Sequence, residues 1–159
     1  MPKVLFVCLG NICRSPMAEG LFIHKVKAAG LERQFEIDSA GTGGWHIGER
    51  ADPRMREIAA KHGVELPSRA RKVKDSDFRH FDYILAMDES NLRDLQDLAE
   101  GVADSKAKLF KMRHFDTANQ EADVPDPYFG GQGGFEEVYQ MLDRSTAQLL
   151  VTIREEMEK

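Results

Sequence analysis

The chain has 159 residues, of which 42% are hydrophobic and 31% charged, and its formal net charge is −5. This length and composition are typical of one globular domain, so we predict a single domain over residues 1–159. The negative net charge argues against nucleic-acid binding, which needs a basic face to neutralise phosphates. No apolar stretch approaches the roughly 20 residues that span a bilayer, and no segment resembles a signal peptide, so we expect a cytoplasmic protein with no membrane partner.

The first third of the chain predicts two strands and one helix. Residues 3–7 form a short apolar run typical of a buried strand, and Pro16 marks the first position of a helix that Gly30 ends. Residues 35–39 alternate like a second strand, and a glycine-rich segment follows at 40–44.

The middle of the chain continues this alternation. Asp52 and Pro53 are typical of a helix start, and Gly63 ends that helix. Residues 82–87 predict a third strand, and Asp88 caps the helix that follows it.

The last third predicts a shorter strand at 108–112, a long loop over 113–134 and a final helix from about residue 135. Strands that alternate with helices imply parallel β-α-β units, with helices on both faces of the sheet. We therefore predict an α/β protein. In such sheets ligands bind beyond the carboxyl ends of the strands. The loop that begins at Cys8 leaves the first strand at that edge.

This loop combines a cysteine with the features of an anion site, and its sequence is Cys8-Leu9-Gly10-Asn11-Ile12-Cys13-Arg14-Ser15-Pro16. The start of a helix presents unpaired backbone N–H groups, and a tight glycine-containing loop adds more of them. Cys8 supplies a nucleophile, Arg14 supplies a planar fork that matches phosphate oxygens, and Ser15 supplies a hydroxyl for the sulfur. The pattern predicts a phosphate-binding loop that holds a thiolate.

Such a loop suits the hydrolysis of a phosphate monoester. Attack by Cys8 would form a cysteinyl-phosphate, while Arg14 and the loop N–H groups stabilise the charge of the transition state. Asp126 is the candidate for the general acid and then the base, because a proline on each side restricts its backbone. Asp123 is a weaker candidate because it lacks that setting.

The other residues of the usual catalytic types indicate neither a metal centre nor a cofactor. The two cysteines share one loop, which excludes a disulfide scaffold, and they lack the nearby histidine pair of a zinc site. None of the five histidines has a spacing that pairs it with Cys8. We therefore expect a mechanism without metal or cofactor.

Several segments together resemble the low-molecular-weight protein-tyrosine phosphatases, and the resemblance covers nearly the whole chain. The matching segments are the Cys8–Pro16 loop, Ser39-Ala40-Gly41-Thr42, Trp45, Asp82-Tyr83-Ile84-Leu85-Ala86-Met87-Asp88, Asn91-Leu92 and Asp126-Pro127-Tyr128-Phe129. The resemblance implies a three-layer flavodoxin-like fold with a four-stranded parallel sheet, and hydrolysis of phosphotyrosine. It also implies that Cys8 is the nucleophile, Arg14 the phosphate clamp and Asp126 the proton donor.

The resemblance extends to the residues around these three. Asn11 would hold the loop in a strained conformation, with support from Ser39. The substrate-binding residues of the loop would be Leu9, Gly10, Asn11, Ile12, Cys13 and Ser15. The walls of the pocket entrance would be Ile12, Trp45, Tyr128 and Phe129.

Some of these residues also suit simpler structural roles. Cys13 could pack in the core or, as the resemblance suggests, form a reversible disulfide that protects Cys8 from overoxidation. The pocket aromatics could be ordinary core or turn residues, and Asp88, which would support the site, is first a helix cap. We interpret the basic side chains at positions 69, 71, 72 and 74 as a solvated face rather than a docking patch.

Three other functions compete with this prediction. An arsenate reductase of the same fold would need a further cysteine downstream, and none follows Cys13. A phosphoarginine phosphatase of the family would carry threonine at the position of Ile12. A non-catalytic phosphopeptide-binding module would lack the nucleophile or the acid. We therefore predict a monomeric phosphatase that acts on a phosphotyrosine-containing protein.

Overall fold

The structure is a computed structural model that describes residues 1–128 and 132–159. Phe129, a predicted pocket wall, therefore lies outside the described residues. Within these residues the strands are β1 (Lys3–Cys8), β2 (Glu36–Gly41), β3 (Tyr83–Ala86) and β4 (Lys108–Lys111). The α-helices are α1 (Arg14–Ala28), α2 (Pro53–Lys61), α3 (Asp75–His80), α4 (Glu89–Glu100) and α5 (Gln132–Met157).

The four strands of the described chain form one sheet with the order β2-β1-β3-β4, and every neighbouring pair is parallel. The prediction of a four-stranded parallel sheet is therefore confirmed. Because β2 and β3 lie on opposite sides of β1, the winding of the chain reverses between β1 and β3. Ligands bind beyond the carboxyl ends of the strands at such a reversal. Cys8 is the last residue of β1 and lies at that point.

Strand β1 fills a core on each face of the sheet, because successive side chains of a strand point to opposite faces. Val4 and Phe6 belong to the core that α1, α2 and α5 cover. Leu5 and Val7 belong to the second core, which α3 and α4 cover. This three-layer arrangement confirms the predicted flavodoxin-like α/β fold.

Helix α1 begins two residues earlier than the proline signal predicts. Its first residue is Arg14, and Pro16 is its third residue. Proline is tolerated there because the N–H groups of the first turn have no acceptor within the helix. The backbone N–H groups of Arg14 and Ser15 consequently remain outside the ladder of helical hydrogen bonds. The far end agrees with the prediction, since Gly30 adopts a φ of +73° just beyond α1.

Other boundaries also differ from the predicted ones. Strand β2 continues to Gly41 because it pairs with β1 along its whole length, up to Cys8 opposite Gly41. Helix α3 is absent from the prediction because its six residues are too few to show a helical period. A 3₁₀ turn, Met112–Phe115, begins the predicted long loop, and α5 begins at Gln132.

No helix among residues 1–128 and 132–159 combines the length and the apolar character needed to cross a membrane. The expected cytoplasmic location and monomeric state stay predictions. The single domain over residues 1–159 also stays a prediction.

Candidate active site

The loop between β1 and α1 turns back on the sulfur of Cys8, which is 3% exposed. The Sγ atom lies 3.0 Å from Ser15 Oγ and accepts from the backbone N–H of Asn11 at 3.3 Å. Hydrogen bonds to the charged form of a group stabilise that form. The loop thus offers the sulfur two contacts that suit a thiolate.

Asn11 holds this loop in a left-handed conformation. Its φ is +57°, in a region that asparagine tolerates better than most residues. Its Nδ2 donates to Ser15 Oγ at 2.8 Å and to Ser39 Oγ at 3.0 Å, and its Oδ1 accepts from the backbone N–H of Arg71 at 3.0 Å. Because both polar atoms of this buried side chain are bonded, the surrounding structure fixes the strained backbone.

The same hydrogen-bond network ends on a buried carboxyl group, Glu19 of α1, which the sequence prediction missed. Ser39 Oγ donates to Glu19 Oε1 at 2.6 Å. Burial raises the pKa of Glu19 above its usual range, although hydrogen bonds from Ser39 and Ser68 oppose the shift. The available signal was the four-residue spacing from Ser15, which puts both side chains on one face of a helix.

The guanidinium of Arg14 is buried at the centre of the site. Its Nη1 donates to Asp88 Oδ2 at 2.7 Å and to the Val124 carbonyl at 3.0 Å, and its Nη2 lies 3.5 Å from Asp126 Oδ2. Burial disfavours the charge, but the charge of Cys8 and the contacts with Asp88 and Asp126 outweigh it and raise the pKa of Arg14. Arg14 therefore stays cationic although it is 2% exposed.

Asp88 supports Arg14 and caps a helix at the same time. Its Oδ1 accepts from the backbone N–H of Asn91 at 2.8 Å, which is the N-terminal cap of α4, while its Oδ2 accepts from Arg14. The Asp88 carboxylate thus connects the start of α4 with the start of α1.

Asp126 reaches the site from the loop that precedes α5. Its Oδ1 accepts from the backbone N–H of Tyr128 at 3.0 Å, and its side chain is 35% exposed. The backbone N–H of Val124 donates to the Met87 carbonyl at 2.8 Å, which fixes this loop against the end of β3. The loop therefore brings Asp126 close to Arg14.

Asp123, the weaker candidate for the acid, has other partners. Its Oδ1 accepts from Lys111 Nζ at 2.8 Å and from the backbone N–H of Glu89 at 3.0 Å. The hydrogen bond from Lys111 lowers the pKa of Asp123. Of the two aspartates, Asp126 is the one that lines the cavity.

These groups converge on a cavity of about 300 Å³. Its lining consists of Cys8, Leu9, Gly10, Ile12, Cys13, Arg14, Trp45, His46, Asp126 and Tyr128. All of these except His46 are among the site residues predicted from the sequence. The side chains of Asn11 and Ser15 are buried behind the loop and contact Cys8 and Ser39 rather than the cavity, and their role in substrate binding stays a prediction.

The mouth of the cavity is formed by exposed side chains. Leu9, Trp45 and Tyr128 are 40%, 69% and 36% exposed. The ring of His46 lies 6.0 Å from that of Tyr128 and also packs on Gly10, where an added Cβ would lie 3.1 Å from His46 Cδ2. The position of His46 directly after Trp45 was the signal that could have identified it.

Arg54 of α2 is a second residue that the sequence prediction missed. Its Nη2 donates to the Tyr128 carbonyl at 3.2 Å, and the guanidinium lies 5.4 Å from the centre of the Tyr128 ring. Asp52, which caps α2, holds the same guanidinium at 2.9 Å. Arg54 thus anchors the loop of Asp126 from the side of α2, a contact between distant parts of the chain.

Cys13 is a free, buried thiol in the lining of the cavity. Burial, together with the charges of Asp52, Cys8 and Asp126, raises the pKa of the Cys13 thiol far above its usual range. This thiol is therefore protonated at neutral pH. A reversible disulfide between Cys13 and Cys8 stays a prediction.

The basic face predicted at positions 69–74 is not uniformly solvated. Arg71 pairs with Asp38 at 3.1 Å and with Asp77 at 3.0 Å. The other basic side chains of this segment are exposed.

The chain matches a known protein family over nearly its whole length. A family model described as "Low molecular weight phosphotyrosine protein phosphatase" matches residues 3–159. The chain belongs to this family. The resemblance predicted from the Cys8 loop and the Asp126 segment is therefore confirmed, and the chain is a member of a hydrolase family.

Similar proteins and solved structures match nearly the whole chain. A low molecular weight protein-tyrosine-phosphatase of Streptomyces coelicolor is 48% identical over 158 residues, which are 98% of this chain and 96% of the relative. The crystal structure of an Entamoeba histolytica protein tyrosine phosphatase with Hepes in its active site superposes with a TM-score of 0.92, at 41% identity over 99% of both chains. A Drosophila arginine phosphatase gives a TM-score of 0.90 at 36% identity, covering 95% of this chain and 97% of that one.

Glu19 should make the stability of this phosphatase family member depend on pH. A carboxyl whose pKa is higher in the folded than in the unfolded chain stabilises the fold below its unfolded pKa of about 4.3. That contribution is lost as the pH rises through the folded value. The free energy of unfolding of the wild type, minus that of Glu19→Gln, should therefore fall as the pH rises from about 4 to about 7 in urea titrations.

Glu65→Gln is the matched control, since Glu65 is exposed and forms no ion pair within the described part of the chain. Its difference from the wild type should vary little over the same pH range. A difference for Glu19→Gln that grows with pH would show that Glu19 is held ionised, which contradicts the prediction.

Proposed function

We propose that this chain hydrolyses phosphotyrosine in proteins, with Cys8 as the nucleophile, Arg14 as the phosphate clamp and Asp126 as the general acid and base. The observation that carries the proposal is the convergence of these three side chains on one cavity. Membership of the phosphatase family supports the same chemistry.

In the first step the thiolate of Cys8 attacks phosphorus, an S–P bond forms and the bond between phosphorus and the tyrosine oxygen breaks. Asp126 donates its proton to the departing phenolate. In the second step the Asp126 carboxylate accepts a proton from water, whose oxygen attacks phosphorus and displaces the Cys8 thiolate. Inorganic phosphate leaves, and the covalent intermediate has divided one difficult step into two easier ones.

The loop and Arg14 supply the electrostatic stabilisation for both steps. Asp88 and Val124 hold the Arg14 guanidinium through Nη1, and Nη2 lies on the side of Asp126 and the cavity. Pre-oriented donors around a developing negative charge give much of the rate enhancement in such reactions. The backbone N–H groups at the start of α1 add to this field.

The shape and lining of the cavity support an aromatic phosphate ester. Ile12 and Cys13 give it apolar walls, while Trp45 and Tyr128 at its mouth can contact the ring of a phosphotyrosine. Arsenate reduction is disfavoured because no cysteine follows Cys13. A binding module is disfavoured because the cavity holds both a nucleophile and an acid.

Replacement of Cys8 tests whether the chain is an enzyme of this type. Cys8→Ser should lower kcat for p-nitrophenyl phosphate by about 10³-fold or more, because the serine hydroxyl is a far weaker nucleophile. Cys13→Ser is the matched comparison and should still turn over substrate, since the protonated Cys13 thiol has no part in the proposed steps. Equal activity of Cys8→Ser and the wild type would rule out the mechanism.

Replacement of Asp126 should have an effect that depends on the leaving group. Asp126→Ala should lower kcat for phenyl phosphate by about 10²- to 10⁴-fold. The loss should be smaller for p-nitrophenyl phosphate, whose leaving group needs no proton. Asp123→Ala is the control from the same loop and should affect both esters alike. An equal loss for both esters in Asp126→Ala would remove Asp126 from the role of proton donor.

Ile12 should decide between phosphotyrosine and phosphoarginine as the substrate. Phosphoarginine is the alternative because a Drosophila arginine phosphatase is among the similar structures. An apolar Ile12 leaves a guanidinium N–H unpaired, and an unpaired buried donor costs about 1–3 kcal/mol, so kcat/KM should favour phosphotyrosine by at least about tenfold. Ile12→Thr supplies an acceptor and should shift the ratio toward phosphoarginine. Peptides with phosphotyrosine, phosphoserine or phosphoarginine measure this, and a wild-type preference for phosphoarginine would overturn the proposed substrate.

A further inference from the structure

Two apolar side chains stand exposed beside the mouth of the cavity. Trp45 and Ile47 are 69% and 63% exposed, and both belong to the loop over residues 42–50. Trp45 also lines the cavity itself. If a peptide placed its phosphotyrosine in the cavity, the residues next to the phosphotyrosine would therefore lie close to this loop.

The loop has a defined position because the segment 69–73 lies alongside it. The backbone N–H of Gly48 donates to the Ala70 carbonyl, and that of Ala70 donates to the Glu49 carbonyl, both at 2.8 Å. Gly41, just before the loop, pairs in the same way with the carbonyl of Arg71. The backbone of the segment is thus held beside the loop that carries Trp45 and Ile47.

Three cations near this loop form no ion pair within the described part of the chain. Arg69 Nη1 donates to the Gly48 carbonyl at 3.0 Å, and the side chain of Lys72 runs past Gly44. Arg50 lies directly opposite Arg69 in an antiparallel bridge. Within residues 1–128 and 132–159, none of these cations has a carboxylate within 4.0 Å. We call the surface formed by Trp45, Ile47, Arg50, Arg69 and Lys72 the basic rim.

Neighbouring charged groups, unlike the three cations of the basic rim, form ion pairs within residues 1–128 and 132–159. Arg71, in the middle of the same segment, is paired with Asp38 and Asp77. Glu49 is the one carboxylate in the sequence of the loop, and its Oε2 lies 3.0 Å from His46 Nδ1. Like charges directly opposite each other destabilise a strand pair, so Arg50 and Arg69 carry a cost that a bound anion would relieve.

We propose that the basic rim binds acidic side chains that flank the phosphotyrosine of the protein substrate. The proposal rests on the phosphotyrosine phosphatase function proposed above and adds a preference for sequence context. Trp45 and Ile47 would pack on the aliphatic parts of the flanking residues, while the three cations attract Asp and Glu. The rim contributes to binding and leaves the reacting atoms untouched.

Paired phosphotyrosine peptides test the proposal. One peptide carries Asp and Glu on both sides of the phosphotyrosine, and the other carries Ala and Lys at the same positions. At low salt the wild type should show a kcat/KM about tenfold higher for the acidic peptide, through KM, and the preference should shrink at about 0.5 M NaCl because the charges are then screened.

Charge reversal assigns this preference to the rim. Lys72→Glu, and separately Arg50→Glu, should each reduce the ratio between the two peptides to within about threefold. Neither variant should change kcat/KM for p-nitrophenyl phosphate, which has no flanking residues and also reports an intact cavity. Lys27→Glu makes the same charge change at an exposed position of α1 and should leave the ratio unchanged.

The outcomes separate the two proposals. Hydrolysis of both peptides at equal kcat/KM would overturn the basic rim and leave the phosphatase function standing. A preference that Lys27→Glu reduces as much as Lys72→Glu does would also overturn it, because net charge rather than the rim would be responsible. Failure to hydrolyse either peptide would instead overturn the phosphotyrosine phosphatase function.

Discussion

The site depends on one buried cation. Arg14 is 2% exposed, and its guanidinium joins the loop after β1 to Asp88 after β3 and to the late loop of Val124 and Asp126. A buried charge is tolerated only when it is paired and hydrogen-bonded, so these three parts of the chain must meet around it. The requirement that keeps Arg14 charged is thus also what brings the candidate acid to the candidate nucleophile.

A second constraint is the polar network behind the sulfur. It runs from Cys8 through Ser15 and Asn11 to Ser39 and ends on Glu19. Each member is buried, and a buried polar network stabilises one conformation only when its members are satisfied. The left-handed backbone at Asn11 is therefore held by β2 and α1 together, which makes the shape of the phosphate loop a property of the layered fold.

The cavity and the surface beside it divide the task of recognition. The interior is suited to a phosphate and an aromatic ring, because Arg14 lies at its base and apolar groups form its walls. The basic rim lies along the loop of Trp45, and within the described residues its cations lack the acidic partners that Arg71 has. In a chain with a net charge of −5, such a local group of cations would attract acidic substrate sequences, as the proposed context preference requires.

The sequence by itself determined what lies close along the chain. The alternation of strands and helices predicted the parallel sheet, and the spacing from Cys8 to Arg14 predicted an anion loop, because both follow from local backbone geometry. Only the tertiary structure decided which distant groups complete the site: that Asp88 and Val124 hold Arg14, that Glu19 closes the network behind the loop, and that Arg54 anchors the loop of Asp126. Contacts of this kind depend on how the layers pack and on which buried charges must be neutralised. A local spacing such as that of Ser15 and Glu19 indicates which side chains share a helix face, but not which distant group they meet.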